Sequence, residues 1–136
     1  PHMRDPAKAA KKKKKRKLQA DECPGPTPQR VRPLPPHRYI LAPMVGGSEL
    51  AFRLLCRRYA TSDLLCYTPM MDSARFAAEP AYRDEIFQTC PADRPLVAHF
   101  SANDPQTMLA AARLVEDRVD AIDLNLGCPQ RVAYVG

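Results

Sequence analysis

Four short apolar runs occupy residues 39–44 (YILAPM), 63–69 (DLLCYTP), 95–100 (PLVAHF) and 121–126 (AIDLNL). Each of the first three is followed, after a turn, by a segment that reads as a helix, and this alternation constrains the chain more than any other feature. Strand, helix and strand joined by short connections imply parallel pairing, hence an α/β fold. The runs are almost continuously apolar, as strands covered on both faces should be. Between the first two runs, Gly46 and Gly47 supply a turn and Ser48 a suitable N-cap, and residues 49–59 read as a helix. Leu50, Ala51, Leu54 and Leu55 share one face of that helix, and Arg53 and Arg57 share another. Residues 81–87 read as a shorter helix with Pro80 at its start. Asp104 and Pro105 provide an N-cap and a first-turn proline for a helix over 106–117. Four strands and three helices satisfy two architectures equally, a small doubly wound sheet and the first half of a βα-barrel.

Charge divides the chain after Arg38. Residues 1–38 hold 12 Lys and Arg against three acids, whereas 39–136 hold nine Arg, no Lys and 12 acids, so the net charge of +6 comes from the tail. Eight of the 15 prolines also fall in the tail, which has few large apolar residues to offset its ordering entropy. Residues 1–38 therefore read as a disordered basic segment whose proline-rich second half is extended. Pro1 and His2 read as foreign residues ahead of a native Met3. The run 11–17 (KKKKKRK), with Lys8 before it, has two readings of equal weight: a nucleic-acid contact or nuclear-import signal, and a merely solvating tail.

Several classes are disfavoured at once. No run approaches the roughly 18 apolar residues of a membrane span. Five cysteines without a CxxC pair argue against a disulfide scaffold and a zinc ribbon. No apolar stretch follows the basic run as in a secretory signal, and a Lys-rich tail without Ser is unlike a mitochondrial transit peptide. There is no HExxH or second ligand cluster, so no metal site is expected, and Gly46-Gly47 is neither GxGxxG nor a P-loop.

Three features stand at the C-terminal ends of the expected strands: 42–47 (APMVGG), His99, and 125–129 (NLGCP). In either architecture that end binds ligands. Cys128 lies between Gly127 and Pro129, which hold its thiol on a rigid turn. An unperturbed thiol titrates near ~8.5 and is mostly protonated at neutral pH, which suits a general acid; a lowered pKa would make it a nucleophile, and the bland alternative is a buried structural thiol. Cys56 and Cys66, inside an apolar helix and strand, read as structural, and Cys23 and Cys90 carry no signal. His99 by itself reads more readily as a hydrogen-bonded structural histidine than as a ligand. Asp123 within the fourth strand requires a partner or an edge position.

Four blocks, LAPMVGGSELAFRLLCRRY, LLCYTPMM, RPLVAHFSANDP and DAIDLNLGCPQ, closely resemble the tRNA-dihydrouridine synthases, and their order and spacing match across essentially all of residues 39–136. The Gln after GCP and the SELAFRLLCRRY segment look most like the eukaryotic subgroup acting on D-loop uridines. The resemblance implies a flavin-containing (β/α)8 barrel with a separate C-terminal helical domain. It implies that NADPH reduces bound FMN, that hydride passes to C6 of a flipped-out uracil in tRNA, and that a cysteine, by motif Cys128, protonates C5. By the same resemblance Asn125 lies beside the substrate base, and Pro43, Met44 and Val45 place their backbone against the flavin. His99 stands where the family usually has a Gln that hydrogen-bonds the flavin ring, and a neutral imidazole offers one donor and one acceptor in its place.

A full barrel of this kind needs about 250 residues. The expectation is therefore the N-terminal half of a (β/α)8 TIM barrel over 39–136, behind a disordered basic tail, in a chain that is an incomplete enzyme. Its expected partners are tRNA and NADPH, with no membrane and no metal, and its expected location is cytoplasmic, nuclear or both. Two other readings stand beside this one: another flavin barrel of the dihydroorotate dehydrogenase type, and a non-catalytic RNA-binding or interaction fragment.

Overall fold

The computed structural model describes residues 33–60 and 63–127, all within the unit Arg32–Gly136. Most of the tail, and Cys128, lie outside the described residues. Nine elements follow in order: β1 (Tyr39–Leu41), α1 (Leu50–Tyr59), β2 (Leu64–Tyr67), β3 (Met71–Asp72), α2 (Ser73–Ala78), α3 (Pro80–Ile86), β4 (Leu96–Ser101), α4 (Pro105–Arg113) and β5 (Ala121–Leu124). No helix among them is long and apolar enough to cross a membrane.

Every strand pairing is parallel. Tyr39 aligns with Leu64, Cys66 with Leu96, and His99 with Asp123, giving the order β1-β2-β4-β5. The two-residue β3 aligns Met71 with Phe100, the residue that pairs Leu124 on its other side, so β3 extends the β2 edge after a break at 68–70. Strands thus succeed one another across the sheet in chain order. Side chains from all four helices, including Cys56, Phe76, Ile86 and Ala111, gather in one apolar cluster with Leu64, Cys66, Leu96, Ala98 and Phe100. A doubly wound sheet would carry helices on both faces and reverse its strand order at a switch point. Sequential order with helices on a single face is the winding of a βα-barrel, and the structure decides for the partial barrel.

Phe100 and Phe87 meet Phe76 edge to face, with centroids 5.1 and 6.0 Å away, and lock α2 over the sheet. Strand alternation turns the neighbouring residues, Leu65, Tyr67, Val97, His99 and Asp123, to the opposite face, the interior of the barrel. That face is apolar near the strand starts, at Leu65 and Val97, and polar toward their C-terminal ends.

The helix α1 corrects its sequence reading. Ala51 and Leu55, on the apolar face, are exposed, whereas Arg53, on the other face, is only 1% exposed. The cause lies across the interface: Asp93, fully buried before β4, needs positive partners. Arg53 donates from Nε and Nη2 to Asp93 Oδ2 at 3.0 and 2.6 Å, and Arg57, one turn on, donates from Nε to Oδ1 at 3.2 Å. Their remaining donors reach carbonyls of Ser48, Gln88, Leu64 and Pro95. Ion pairing, not the apolar stripe, sets which side of α1 faces inward.

Ser48 does not cap α1. Its hydroxyl accepts the Met44 N–H at 2.9 Å and donates to the Met44 carbonyl at 3.2 Å, while Glu49 occupies the cap position without a side-chain bond. The expected first strand stops at Leu41 because Pro43 has no N–H for the ladder. The final strand ends at Leu124, although the Asn125 N–H still reaches the Phe100 carbonyl at 2.8 Å. The helix begun by Pro105 ends at Arg113, and looser turns follow it.

Candidate functional site

The C-terminal ends of β4 and β5 bring together the polar side chains expected there. His99 is buried, and its Nδ1 lies 2.6 Å from Asp123 Oδ2. Its Nε2 is 3.3 Å from Asn125 Nδ2. Asn125 Nδ2 also reaches Met70 Sδ at 3.3 Å, and Asn125 Oδ1 accepts the Gly127 N–H at 2.9 Å. Beneath them, the His99 N–H donates to Thr68 Oγ1 at 3.0 Å, and the Thr68 hydroxyl donates to the Pro69 carbonyl. The Tyr67 ring stands edge-on to the imidazole at 6.1 Å between centroids. Burial, and after it the charge of Asp123, push the Tyr67 phenol up, so it stays a neutral donor at physiological pH.

These contacts orient one another. The Gly127 N–H needs an acceptor, so Asn125 turns Oδ1 toward it and Nδ2 toward His99. An acceptor is then required at Nε2, which leaves the imidazole proton on Nδ1, facing Asp123. Asp123, which from the sequence needed a partner, has one, and His99 is both hydrogen-bonded within the fold and placed at the ligand-binding end.

Pro43, Met44 and Val45 belong to the loop after β1, at the same end of the sheet but two strands from His99. Met44 and Val45 are exposed, with the Met44 backbone clamped by Ser48. Gly46 takes φ +72°, a conformation that other residues rarely adopt. Cys66 is fully buried on the helix side, and burial raises its thiol pKa, which keeps it protonated and unreactive. Among the described residues no group of three His, Cys, Asp or Glu side chains is arranged to hold a metal.

Sequence reasoning passed over Met70 and Thr68, which set the floor of the site, and gave no role to Asp93, which anchors the loop through Arg53 and Ser48. It also missed β3 and α2. The signals for α2 were present: Asp72 caps it by accepting the Arg75 N–H, and Arg75 pairs with Glu79 one turn on.

A parallel βα-barrel segment with its polar groups gathered at the strand C-termini defines the class: a barrel whose ligand end is built from the loops after its strands. The dihydrouridine synthase family model matches residues 40–134, and the chain belongs to that family. It is 53% identical over 100 residues to the tRNA-dihydrouridine(16/17) synthase [NAD(P)(+)] of Saccharomyces cerevisiae, covering 71% of this chain and 23% of that protein. A similarly named protein of Rattus norvegicus is 52% identical over 101 residues, 73% of this chain and 23% of the relative. The human tRNA-dihydrouridine(20a/20b) synthase [NAD(P)+]-like protein is 47% identical over 94 residues, 69% of this chain and 29% of its own length. The chain thus spans about a quarter of the length of the curated relatives it matches.

Proposed function

We propose that this chain carries the part of a flavin-dependent tRNA-dihydrouridine synthase that holds the catalytic cysteine, in an enzyme that reduces uridine to 5,6-dihydrouridine in the D-loop of tRNA with NADPH as reductant. The observation that carries this reading is the oriented Asp123, His99, Asn125 and Gly127 series, which ends one residue before Cys128 at the ligand end of a barrel of this family.

The residues present fit the ring portion of FMN. Met44 and Val45 offer exposed apolar surface, and the clamped loop places backbone beside it. Across the sheet His99 and Asn125 supply the polar groups that a heteroaromatic edge requires. They do not fit its phosphate: the segments after the strands, 42–47, 68–70, 102–104 and 125–127, contain no Lys or Arg. When bound, FMN would supply the hydride chemistry that reduction of the uracil ring requires. In this reading Asn125 lies beside the base and the Cys128 thiol delivers the proton to C5.

The test is a chimera in which residues 40–134 replace the matching segment of the yeast relative. Dihydrouridine at the relative's own sites, measured by mass spectrometry of tRNA, is the expected result. A folded, flavin-loaded chimera that makes none overturns the reading.

Two further outcomes are expected. Purified by itself, the 136-residue chain should not retain stoichiometric FMN, for want of phosphate ligands, and its absorbance spectrum measures this. Residues 8–17 should strengthen tRNA binding without sequence preference. Each phosphate neutralised adds about 0.7–0.9 to the slope of log K against log salt, so deleting the segment should flatten that slope. An unchanged slope would leave the lysines as a solvating tail.

A further inference from the structure

Asp123 stands at the far end of the hydrogen-bonded series that runs through His99 and Asn125 to the Gly127 N–H. Its carboxylate is an acceptor only, it lies 2.6 Å from His99 Nδ1, and the two residues are aligned across β4 and β5 by the sheet register. Its side chain is 42% exposed, against 9% for His99, so the carboxylate remains partly hydrated while the imidazole is enclosed. With a carboxylate oxygen at Nδ1 and the Asn125 amide nitrogen at Nε2, the imidazole carries its proton on Nδ1, which makes Nε2 an acceptor.

We propose that Asp123 is a positioning residue that acts through His99: by holding the Nδ1–H tautomer it keeps the Asn125 amide turned with its nitrogen toward His99 and its oxygen toward the Gly127 N–H. The consequence is chemical. Both amide protons of Asn125 are engaged, one by His99 Nε2 and one by Met70 Sδ, while Oδ1 has accepted only the Gly127 N–H. What Asn125 keeps for a ligand is an acceptor lone pair, which suits an imide N–H and not a carbonyl oxygen. With the other tautomer, His99 Nε2–H would oppose the Asn125 amide protons. The amide would then turn over, offer a donor to the ligand and release the Gly127 N–H. Assigning the site to an imide such as uracil rests on the synthase reading; the tautomer relay does not.

The experiment uses the 136-residue chain without cofactor or tRNA. A long-range ¹H–¹⁵N correlation spectrum of the imidazoles distinguishes the tautomers directly, and the His99 signals are identified by their loss in His99→Gln. The wild type should show His99 protonated at Nδ1 and unprotonated at Nε2. Asp123→Ala should convert it to the Nε2–H pattern and speed exchange of the Gly127 amide by roughly tenfold, the loss expected for one hydrogen bond. Asp123→Asn retains an acceptor oxygen and should preserve both the tautomer and the slow amide. Any pattern other than Nδ1–H in the wild type overturns the proposal even if Asp123→Ala does not fold, and so does an unchanged tautomer in a folded Asp123→Ala protein. Because no turnover is measured, an inactive chimera would count against the synthase reading and leave this result standing.

Discussion

Asp93→Ala should cost about 3–5 kcal/mol of folding stability, the usual price of leaving a buried charge without its partner. Arg53 is 1% exposed and directs two of its contacts at Asp93, and Arg57 directs a third. Without the carboxylate, a guanidinium would stay enclosed with only the carbonyls of Ser48 and Gln88 for partners. Such a loss is a large part of the roughly 5–15 kcal/mol that holds an ordinary domain together, so the urea midpoint should fall sharply or the native baseline vanish. Asp93→Asn keeps the shape and an acceptor oxygen but turns amide protons toward arginine donors, and should fall between. Arg75→Ala, which breaks the surface pair with Glu79, should hardly move the midpoint. Circular dichroism against urea measures all three. A loss below about 1 kcal/mol for Asp93→Ala would mean that water screens the cluster and that α1 is held by its apolar contacts after all. The effect should reach the ligand end, since Arg53 Nη1 holds the Ser48 carbonyl and Ser48 clamps Met44.

That cluster also marks where the sequence stops being legible. The strands could be read because an apolar run closed by Gly or Pro has few other meanings, and Pro105 after Asp104 announced its helix. The orientation of α1 could not be read, because periodicity assigns the apolar stripe to the core and has no means of knowing that a carboxylate 40 residues later requires two arginines. The result is an exposed stripe on α1, Phe52, Leu55 and Tyr59, and Tyr39 and Ile40 of the outer strand β1 are exposed as well. At the β5 side, Leu109 and Leu124 line a groove of about 440 Å³. Among the described residues each outer strand pairs on one side only, as in a barrel segment that is not closed on itself. The choice between barrel and doubly wound sheet likewise needed the register, because strand order is a long-range property that local patterns do not encode. The ligand end was legible as a location: His99, Asn125 and the loop at 42–47 could be placed at the strand C-termini from the alternation alone. The contacts that orient those groups were not, since Thr68 and Met70 look like ordinary strand-end residues until β4 and the end of β5 are laid beside them.

Cys128→Ala should slow dihydrouridine formation by roughly 10²–10⁴-fold, the usual worth of a positioned acid, in a chain complete enough to turn over, such as the yeast chimera. Hydride arriving at uracil C6 leaves negative charge spread over C5 and O4, and the product requires a proton on carbon at C5. The acid must be protonated at rest and close to the base. A thiol with a pKa near ~8.5 meets the first condition at neutral pH without tuning. The second depends on position, and here the proposal has its support in the fold: Asn125 and Gly127, three and one residues before Cys128, are tied to β4 through the Phe100 carbonyl and the His99 ring. Alanine removes the proton donor and leaves those ties in place, so flavin content should be unchanged while single-turnover formation of dihydrouridine falls. Cys128→Ser tests the same point from the other side, because a hydroxyl of similar size is a far weaker acid and should not restore the rate. Normal turnover in the alanine variant would return Cys128 to the role of a structural thiol. Loss of flavin along with turnover would place the residue in the wall of the cofactor pocket, and the acid would then have to be sought among the other groups that face C5.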